Sequence, residues 1–499
     1  MRDSRQLATA LAALLLTATA CGTTVPLSER QSGSSGLSDG SATTGLSSGP
    51  GTGTEPGATT GLTTTGGSTS TTGSGSGAAS GATAGTGSST GSVQSPTGIV
   101  SGPPSRGPIK LGALTATGAA KYQKSLGFSG ATGDQVAMTK SVVDYLNAHG
   151  GVGGRRIELV TYDLDPSAFA ANAAAATNAA CTYFTQDNKV AALASYVALV
   201  PESFYACLAK AHLPVVSPDE GVSKERFERY PNSLYMPAVP SYTRLLADSV
   251  DALWQAGWLT SASRVGVVGY DTNDVHAIVD KGLVPALQRH GLKLIRGMYT
   301  SDTTSAASEY NGGVLNFSSQ HIDRVFFAPG GQPIYFALAA QSQAYHPRYE
   351  LGSLEYPTAL ADNLPSDQLS GSMGLGWLPY LDLPNTAWAA VTTPGIADCR
   401  KAMARAGQDF SSGTTLGIAA WICDEWDFLR DVLASAAVTD DVSFRRAAEA
   451  LGTSFRPAAT FRTVFAPGRT HDGASGYRLV AFNDSCACFS YRSPVRPMP

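Results

Sequence analysis

The sequence predicts an α/β fold in which short strands alternate with helices and build two doubly wound lobes. One observation is that β-branched and apolar runs recur from residue 109 onward, each followed by a longer segment with helical composition. A second observation is that glycine-rich turns join helix ends to strand starts. A strand, a helix and another strand of this kind form a parallel unit with a right-handed crossover. The pattern occurs twice along the chain, which indicates two parallel sheets.

The expected strands and helices follow from these runs. Strands are predicted at 109–114, 157–162, 190–194, 214–217, 264–269, 294–298, 325–328 and 349–354. The helices between them include 166–184, 242–256, 275–290, 333–344 and 417–436.

The segment 147–163, NAHGGVGGRRIELVTYD, shows the pattern most clearly. Asn147 and His149 can close a helix, and IELVTY is a strand sequence. The turn between them holds Gly150, Gly151, Gly153 and Gly154, which supply the positive φ values that a helix end and a tight turn need. Arg155 and Arg156 are expected near the carbonyl end of that helix.

This segment resembles the bacterial leucine/isoleucine/valine-binding proteins, which are type I periplasmic solute-binding components of ABC importers. The shared run is N-x-x-G-G-V-x-G-R-x-I-E-L-V-x-Y-D, and the resemblance extends over about 109–491. It implies two Rossmann-like lobes joined by a three-strand hinge. The crossings are expected near 237–242, 381–384 and 467–472. The first lobe then comprises 108–238 with 386–466, and the second 239–385 with 473–491.

Residues 1–20 have the composition of a signal peptide. Arg2 and Arg5 precede an apolar segment that is too short to span a membrane. Small residues lie directly before Cys21, which resembles a bacterial lipobox, although Ala18 stands where that pattern prefers leucine. We expect Cys21 to be the acylated mature N-terminus, on the outer face of the cell membrane. The alternative is a plain secretory peptide with a chance cysteine.

Residues 21–107 are almost entirely Gly, Ser, Thr, Ala and Pro. Such a stretch cannot bury enough apolar surface to offset its ordering entropy, so it predicts a disordered tether. Its end-to-end distance is expected to be about 50 Å. The GSSTG motif at 87–91 fits a nucleophile elbow, but it is a chance match because no strand or helix flanks it.

The cysteines other than Cys21 are even in number, as expected outside the cytoplasm. They are Cys181, Cys207, Cys399, Cys423, Cys486 and Cys488. The resemblance implies a disulfide between Cys181 and Cys207. The pairing of the other four stays open, with free thiols as one alternative. Metal binding is disfavoured because there is no C-x-x-C and the histidines are scattered, so no metal or cofactor is expected.

Several function classes are disfavoured. The net charge of −4 without a basic stripe argues against a nucleic-acid partner. The folded part lacks G-x-S-x-G, H-E-x-x-H and P-loop motifs, so we expect that the protein is not an enzyme.

Ligands of parallel sheets bind beyond the carboxyl ends of the strands. In the first lobe these positions hold Tyr122, Ser195, Tyr196, Ser217 and Asp219. The resemblance implies a hydroxyl-rich carboxylate site here, but only Ser195 clearly matches it. Asp219 would repel an anion, which favours a ligand with a cationic or hydroxyl-rich end. Alternatively, Asp219 only caps the next helix, and Tyr122 belongs to a plain loop.

In the second lobe the corresponding positions hold Tyr270, Asp271, Gln332 and Glu355. Tyr270 and Asp271 could stack on and hydrogen-bond to a ligand. The resemblance implies that an acid at the end of strand 349–354 binds the ligand's ammonium group, and Glu355 matches by position. The alternative for Glu355 is a solvated acid at the start of a loop.

Other aromatic and acidic residues have structural interpretations. Trp377 and Tyr380 are expected either in the cleft wall or in the hinge. On the helix 417–436, the apolar face predicts that Trp421, Trp426 and Phe428 pack in the core, and that Asp424 and Glu425 face solvent.

Together these features predict a lipid-anchored, extracytoplasmic solute-binding protein. It would capture a small polar ligand, amino-acid-like or related, between two lobes and deliver it to an ABC permease in the membrane. We expect a monomer. The alternative is a ligand sensor of the same fold that signals to a membrane partner.

Overall fold

Strands and helices alternate along the computed structural model of the chain. It describes residues 107–118, 133–197, 200–218, 221–300, 306–408, 410–435, 438–469 and 471–498. The predicted signal peptide, the tether and Cys21 lie outside the described residues, as do the site candidates Tyr122 and Asp219.

The first lobe is built on a five-stranded parallel sheet of order β2-β1-β3-β4-β5. Its strands are β1 (Ile109–Thr115), β2 (Ile157–Asp163), β3 (Leu193–Ser195), β4 (Val215–Val216) and β5 (Leu234–Tyr235). The helices along this part of the chain are α1 (Gln135–Ala148), α2 (Pro166–Ala171), α3 (Ala173–Thr182), α4 (Glu202–Lys210) and α5 (Lys224–Arg229). A π-helical turn, Tyr183–Asp187, extends α3.

The second lobe is built on a four-stranded parallel sheet of order β7-β6-β8-β9. Its strands are β6 (Val265–Tyr270), β7 (Leu294–Thr300), β8 (Arg324–Phe327) and β9 (Arg348–Tyr349). Its helices are α6 (Tyr242–Gln255), α7 (Asn273–Ile278), α8 (Val284–Arg289), α9 (Ala306–Ser319), α10 (Pro333–Ser342), α11 (Pro357–Asn363), α12 (Ser366–Leu369) and α13 (Pro379–Asp382). A π-helical segment, Val279–Leu283, joins α7 to α8.

The chain then returns to the first lobe with α14 (Ile396–Met403), α15 (Gly413–Leu433) and α16 (Asp441–Leu451). Helix α15 packs against α1, and its Phe428 contacts Tyr235 of β5. The C-terminal segment adds antiparallel strands to the second lobe, where β10 (Met373–Gly376) pairs with β11 (Gly476–Asn483), and β11 pairs with β12 (Cys488–Tyr491) and β13 (Arg496–Pro497). The predicted α/β class with two doubly wound lobes is confirmed.

The strand prediction was wrong in two places. The run 349–354 forms only the two-residue strand β9, and Ser353–Glu355 is a single turn of 3-10 helix that ends at Tyr356, whose φ is 51°. Strands β5 and β10 to β13 were not predicted. Glycine-rich β10, MGLG, has little strand propensity of its own and forms because β11 pairs along it.

The glycine turn before β2 has the predicted backbone. Gly150, Gly151, Gly153 and Gly154 all have positive φ values. A Cβ on Gly151 would lie 2.0 Å from the carbonyl oxygen of Arg155, so that turn has no room for a side chain. Arg155 does not bind the helix end as expected, because its guanidinium donates to the carbonyl oxygens of Gly107 and Pro108.

Asn147 fixes the register between the end of α1 and the start of β2. Its Oδ1 accepts from the N–H of Ile157 at 2.7 Å, and its Nδ2 donates to the Ile157 carbonyl at 3.1 Å. The side chain therefore pairs with β2 as a neighbouring strand would.

Two segments that connect the lobes run side by side. Met236 and Asp472 form a parallel bridge, and the N–H of Met236 donates to the carbonyl of His471 at 2.6 Å. Asp472 accepts from the N–H of Ser241 and from Nε of Arg244 at 2.9 and 2.8 Å. The Arg244 guanidinium also donates to the Asp472 carbonyl, so a charged pair ties the two segments to α6.

The described residues contain three disulfides, and the two that close long loops lie in the first lobe. Cys181 of α3 is bonded to Cys207 of α4, as the resemblance implied. Cys399 of α14 is bonded to Cys423 of α15. The third, between Cys486 and Cys488, spans only the turn between β11 and β12 in the second lobe.

Candidate functional site

The carboxyl ends of β1 and β2 in the first lobe are joined by Asp163. Its Oδ1 accepts from Oγ1 of Thr115 at 2.8 Å and from the N–H of Thr117 at 2.9 Å. Burial raises the pKa of Asp163, but the bonds from Thr117 and Thr115 outweigh it and the pKa is lowered. This charged acceptor fixes the chain as it leaves the sheet.

Ser195 and Ser217 lie at the carboxyl ends of β3 and β4, as predicted. Both are buried, and the hydroxyl of Ser195 has no hydrogen-bond partner among the described residues. An unpaired buried hydroxyl is uncommon and needs an explanation, such as a ligand or a water. Ser195 therefore remains a candidate ligand-binding residue.

Tyr196 turns toward the helices of the first lobe. Its hydroxyl accepts a hydrogen bond from Nε1 of Trp426 on α15. Burial, followed by the negative charge of Glu425, raises the pKa of Tyr196 well above its ordinary value. Tyr196 is therefore neutral and held against α15.

Tyr270 and Gln332 come together at the carboxyl ends of β6 and β8. Nε2 of Gln332 donates to the Tyr270 hydroxyl at 3.4 Å, and the N–H of Gln332 donates to the hydroxyl of buried Tyr310. The Tyr270 ring lies directly on Gly330, where a Cβ would come within 2.0 Å of the ring. The PGGQP sequence thus lets an aromatic ring cover the backbone at this strand end.

Asp271 does not join this group. It is exposed, and its Oδ1 lies 2.8 Å from Nε2 of His276 one turn into α7. Its carboxylate is therefore already paired with His276.

Glu355 is buried in the 3-10 turn after β9. One carboxyl oxygen accepts from the Tyr242 hydroxyl at 3.0 Å and the other from the N–H of Gly352 at 2.7 Å. Burial raises the pKa of Glu355 to about 7, against the opposing effect of these two bonds. Glu355 is therefore not a solvated loop residue, and the side chain is held in one orientation.

Two more buried acids lie near Glu355. Glu350 accepts from the Ser249 hydroxyl at 3.1 Å, and burial together with the Glu355 carboxyl raises its pKa well above its ordinary value. Asp382 accepts from the Tyr491 hydroxyl at 2.6 Å, and burial raises its pKa to about 7. The negative charge of Glu355 disfavours ionisation of both Glu350 and Asp382. These acids therefore restrict how many charges this part of the second lobe carries.

Trp377 and Tyr380 pack beside the segments that join the lobes. Both are buried, and Nε1 of Trp377 donates to the carbonyl of Ala238 at 3.1 Å. The Tyr380 hydroxyl lies 3.2 Å from Oγ1 of Thr393, at the return to the first lobe. Of the two roles considered for them, this geometry favours hinge packing.

The interpretation of Asp424 and Glu425 as solvent-facing was wrong. Asp424 is 0 % exposed and Glu425 is 2 % exposed. Asp424 accepts from the N–H groups of Ala458 and Ala459, whereas no described residue donates a hydrogen bond to either carboxyl oxygen of Glu425. Trp421, Trp426 and Phe428 are buried as predicted.

The sequence carried a signal for the burial of Glu425. Ile418, Ile422, Glu425 and Leu429 recur at three- and four-residue spacing, which places them along one face of α15. An acid within that apolar stripe is buried when the stripe packs. Glu425 is thus the candidate residue that sequence reasoning missed.

Metal-binding clusters and membrane-spanning helices are not found among the described residues. No group of three or more His, Cys, Asp or Glu side chains there is arranged to hold a metal ion. No helix in those ranges combines the length and the apolar character needed to cross a membrane.

Comparisons with known proteins agree on the architecture. A family model described as a periplasmic binding protein matches residues 108–487. Among curated proteins, no sequence is similar enough to count as a match.

Solved structures of low sequence identity have the same fold. A possible leucine/isoleucine/valine-binding protein from Rhodopirellula baltica is 16% identical, with a TM-score of 0.56 over 77% of this chain and 96% of that one. A branched-chain amino acid transporter substrate-binding protein from Streptococcus pneumoniae, in complex with isoleucine, is 13% identical, with a TM-score of 0.55 over 78% and 99%. An ABC transporter solute-binding protein from Rhodopseudomonas palustris, in complex with 4-hydroxybenzoate, is 13% identical, with a TM-score of 0.55 over 78% and 98%.

The family model covers most of the chain, and the two parallel sheets joined by paired connecting segments are the architecture of these structures. The chain therefore belongs to the periplasmic binding protein family and has its type I fold.

Proposed function

We propose that this chain is a lipid-anchored, extracytoplasmic solute-binding protein that captures a small polar ligand for an ABC permease. The observation that carries the proposal is the pair of parallel sheets whose carboxyl ends hold polar and aromatic side chains. Family membership supports it. No chemistry on the ligand is required, so the protein acts by binding alone.

The lobes are proposed to comprise 108–238 with 386–466, and 239–385 with 473–491. Ligand binding would rotate one lobe against the other about the connecting segments at 237–242, 381–384 and 467–472. A ligand stabilises the closed form only by its greater affinity for that form. The permease would then recognise the closed, ligand-loaded protein, acting on a monomer.

The ligand is proposed to be amino-acid-like or related. Two of the similar structures hold isoleucine and 4-hydroxybenzoate, each a small molecule with a carboxylate. The first-lobe and second-lobe ligand contacts are proposed to be Tyr122, Ser195, Tyr196, Ser217, Asp219, Tyr270, Asp271, Gln332 and Glu355. Asp271 would have to release His276 to take part.

Glu355 is the second-lobe residue on which we place most weight. Its carboxyl is held at the strand edge by Tyr242 and Gly352, so it is oriented before a ligand arrives. Losing a charged partner in a desolvated site should cost about 2–5 kcal/mol. Glu355→Ala should therefore weaken binding on the order of 30-fold or more.

The test is a thermal-shift screen of amino acids and aromatic acids, followed by calorimetry on variants. Glu355→Ala and Ser195→Ala should both weaken the ligand found, whereas Glu228→Gln, which changes an exposed first-lobe acid paired with Lys224, should not. If Glu355→Ala remains folded and binds as tightly as the wild type, the proposed site is misplaced.

The anchor is tested separately. Metabolic labelling with a palmitate analogue should mark the wild type but not Cys21→Ser. Several acyl chains contribute about 0.8 kcal/mol per buried methylene, so the wild type should sediment with membranes. Equal labelling of both proteins would exclude acylation at Cys21.

Import and sensing are separated by uptake. Cells that lack the chain should take up less of the identified ligand, and the wild-type protein should restore uptake. Unchanged uptake, together with a changed transcriptional response to the ligand, would favour the sensor.

A further inference from the structure

Glu425 lies in the middle of α15 with its carboxyl group inside the first lobe. It is 2 % exposed, and neither of its oxygens has a hydrogen-bond partner within the described ranges of the chain. Buried polar groups in folded proteins are nearly always hydrogen-bonded, and a buried carboxyl without donors is strongly disfavoured. The site around Glu425 therefore lacks a hydrogen-bond donor that a ligand can supply.

Trp421 precedes Glu425 by four residues, which places the two side chains on one face of α15. The Trp421 indole is buried, and its Nε1 donor has no acceptor among the residues that the structure describes. One stripe of the helix thus presents an unpaired acceptor and an unpaired donor side by side.

The other groups near Glu425 come from the segment after β3 and from α1. Tyr196 follows β3, and its hydroxyl accepts from Trp426, the residue next to Glu425. The charge of Glu425 contributes to the raised pKa of Tyr196, so the carboxyl and the phenol are near neighbours. Thr139 of α1 adds a buried hydroxyl on the same side. These groups lie beside the carboxyl end of β3, where ligands of parallel sheets bind.

Other buried acids show what a structural carboxyl looks like in this protein. Asp424, the preceding residue, accepts from two backbone N–H groups. Glu355 and Asp382 accept from tyrosine hydroxyls. Glu425 has no such support, so folding alone gives no reason for a carboxyl at this position.

We propose that Glu425 and Trp421 form a recognition subsite in the first lobe for a protonated amine that carries an oxygen on a nearby carbon. Two carboxylate oxygens can accept N–H donors from the ammonium group, and the Trp421 N–H can donate to the ligand oxygen. Tyr196, which is hydrogen-bonded to Trp426, lies close to Glu425, and aromatic rings also favour a cation. The inference rests on the proposed binding function, since it deepens it by naming the ligand's charged end.

Burial raises the pKa of Glu425 well above its ordinary value, with the nearby Asp424 as a second cause. The raised pKa favours the protonated form of the ligand-free carboxyl, and pairing with an ammonium group favours the ionised form. Affinity for an amine should therefore increase as pH rises, as long as the amine remains protonated. Removing the carboxyl should abolish this dependence.

The test uses defined probes: ethanolamine, serine and isoleucine, against the uncharged 1,4-butanediol and the anion butyrate. Binding is followed by tryptophan fluorescence and calorimetry on the full chain between pH 6 and 8.5. At least one of the amine probes should bind, and Glu425→Gln should weaken it by about 30-fold or more and remove the pH dependence. Trp421→Phe should weaken it less, and Glu228→Gln should leave it unchanged.

Unchanged amine affinity in Glu425→Gln would overturn the subsite. Binding of butyrate or 1,4-butanediol without any amine would also overturn it, while leaving the binding function in place. If none of the probes binds, the subsite is rejected, whereas the binding function is judged by its own wider screen. Circular dichroism and urea unfolding of each variant show that a loss of affinity is not a loss of folding.

Discussion

Glu355 in the second lobe and Glu425 in the first lobe are both buried acids, yet only Glu355 is surrounded by hydrogen-bond donors. Glu355 accepts from Tyr242 and from the Gly352 backbone, while Glu425 accepts from no group in the described part of the chain. The difference shows that burial alone does not identify a ligand-binding acid. A carboxyl whose lone pairs are already occupied can be structural, whereas one without donors has capacity left for a ligand.

The difference between a buried acid with donors and one without is tested most directly within α15. Asp424→Ala removes the acceptor of two backbone N–H groups and leaves both unpaired, so we expect a loss of about 2–5 kcal/mol in the free energy of unfolding. Glu425→Ala removes no hydrogen bond and should cost less than 1 kcal/mol or increase stability. Urea unfolding of the two variants measures both. Equal losses would mean that Glu425 also supports the fold.

The lobes also differ in covalent cross-links, which gives the next largest effect. The disulfides Cys181–Cys207 and Cys399–Cys423 have sequence separations of 26 and 24, while Cys486–Cys488 has one of 2. In the chain-entropy model, each long loop stabilises the fold by about 3 kcal/mol. Replacing both cysteines of either long disulfide by alanine should therefore lower the melting temperature much more than replacing the short pair.

Peptide mapping without reduction checks the pairing itself. Finding free thiols at Cys181 and Cys207 in the secreted protein would exclude the first bond. A short-pair variant that melts as early as the long-pair variants would contradict the asymmetry between the lobes.

The fold could be predicted because its signals are local. Strand and helix periodicity is carried by runs such as 109–114, and the glycines after α1 have the positive φ values that their turn requires. The strands that escaped prediction, such as β10, depend on a partner far along the chain. Their own sequence contains little strand preference, so only tertiary pairing defines them.

The positions of the candidate residues at the strand ends could be predicted, but their contacts could not. Ser195 and Gln332 were proposed as ligand contacts from those positions, and both are buried. Asp271 pairs with His276, and whether an acid meets a donor depends on side chains from distant elements. The prediction that Glu425 faces solvent was wrong, because it considered the charge of Glu425 but not its position within an apolar face of α15.

The raised pKa values in the second lobe predict how stability depends on pH. Glu355 and Asp382 both titrate near pH 7 in the folded protein, because burial disfavours their charged forms. Between about pH 4.5 and 7 the folded state then binds more protons than the unfolded state. Stability is greatest below this window and falls as pH rises through it, by up to about 1.4 kcal/mol per pH unit for each group.

Glu355→Gln should flatten this dependence and leave the part that Asp382 contributes. Urea unfolding at intervals between pH 4.5 and 8 measures the slope, with Glu228→Gln as the exposed control. A slope that Glu355→Gln does not change would show that the Glu355 carboxyl titrates at an ordinary pH.

The smallest expected change in stability comes from removing the Tyr242 hydroxyl, a donor that Glu355 has. Tyr242→Phe removes the hydroxyl that donates to the Glu355 carboxyl, and this bond favours the charged form of the acid. We expect a loss of about 1 kcal/mol in the free energy of unfolding at pH 8, and a smaller loss at pH 5, where the carboxyl is protonated.

The first lobe provides the matched control, because the Tyr230 hydroxyl donates to Glu202 at 3.0 Å in a more exposed position. Tyr230→Phe should change stability by less than about 0.5 kcal/mol at either pH, since water replaces the lost bond there. Equal losses for Tyr242→Phe at pH 5 and pH 8 would show that the hydroxyl contributes by packing. A larger loss at pH 8 would show that the Tyr242 hydroxyl stabilises the charged form of a buried carboxyl.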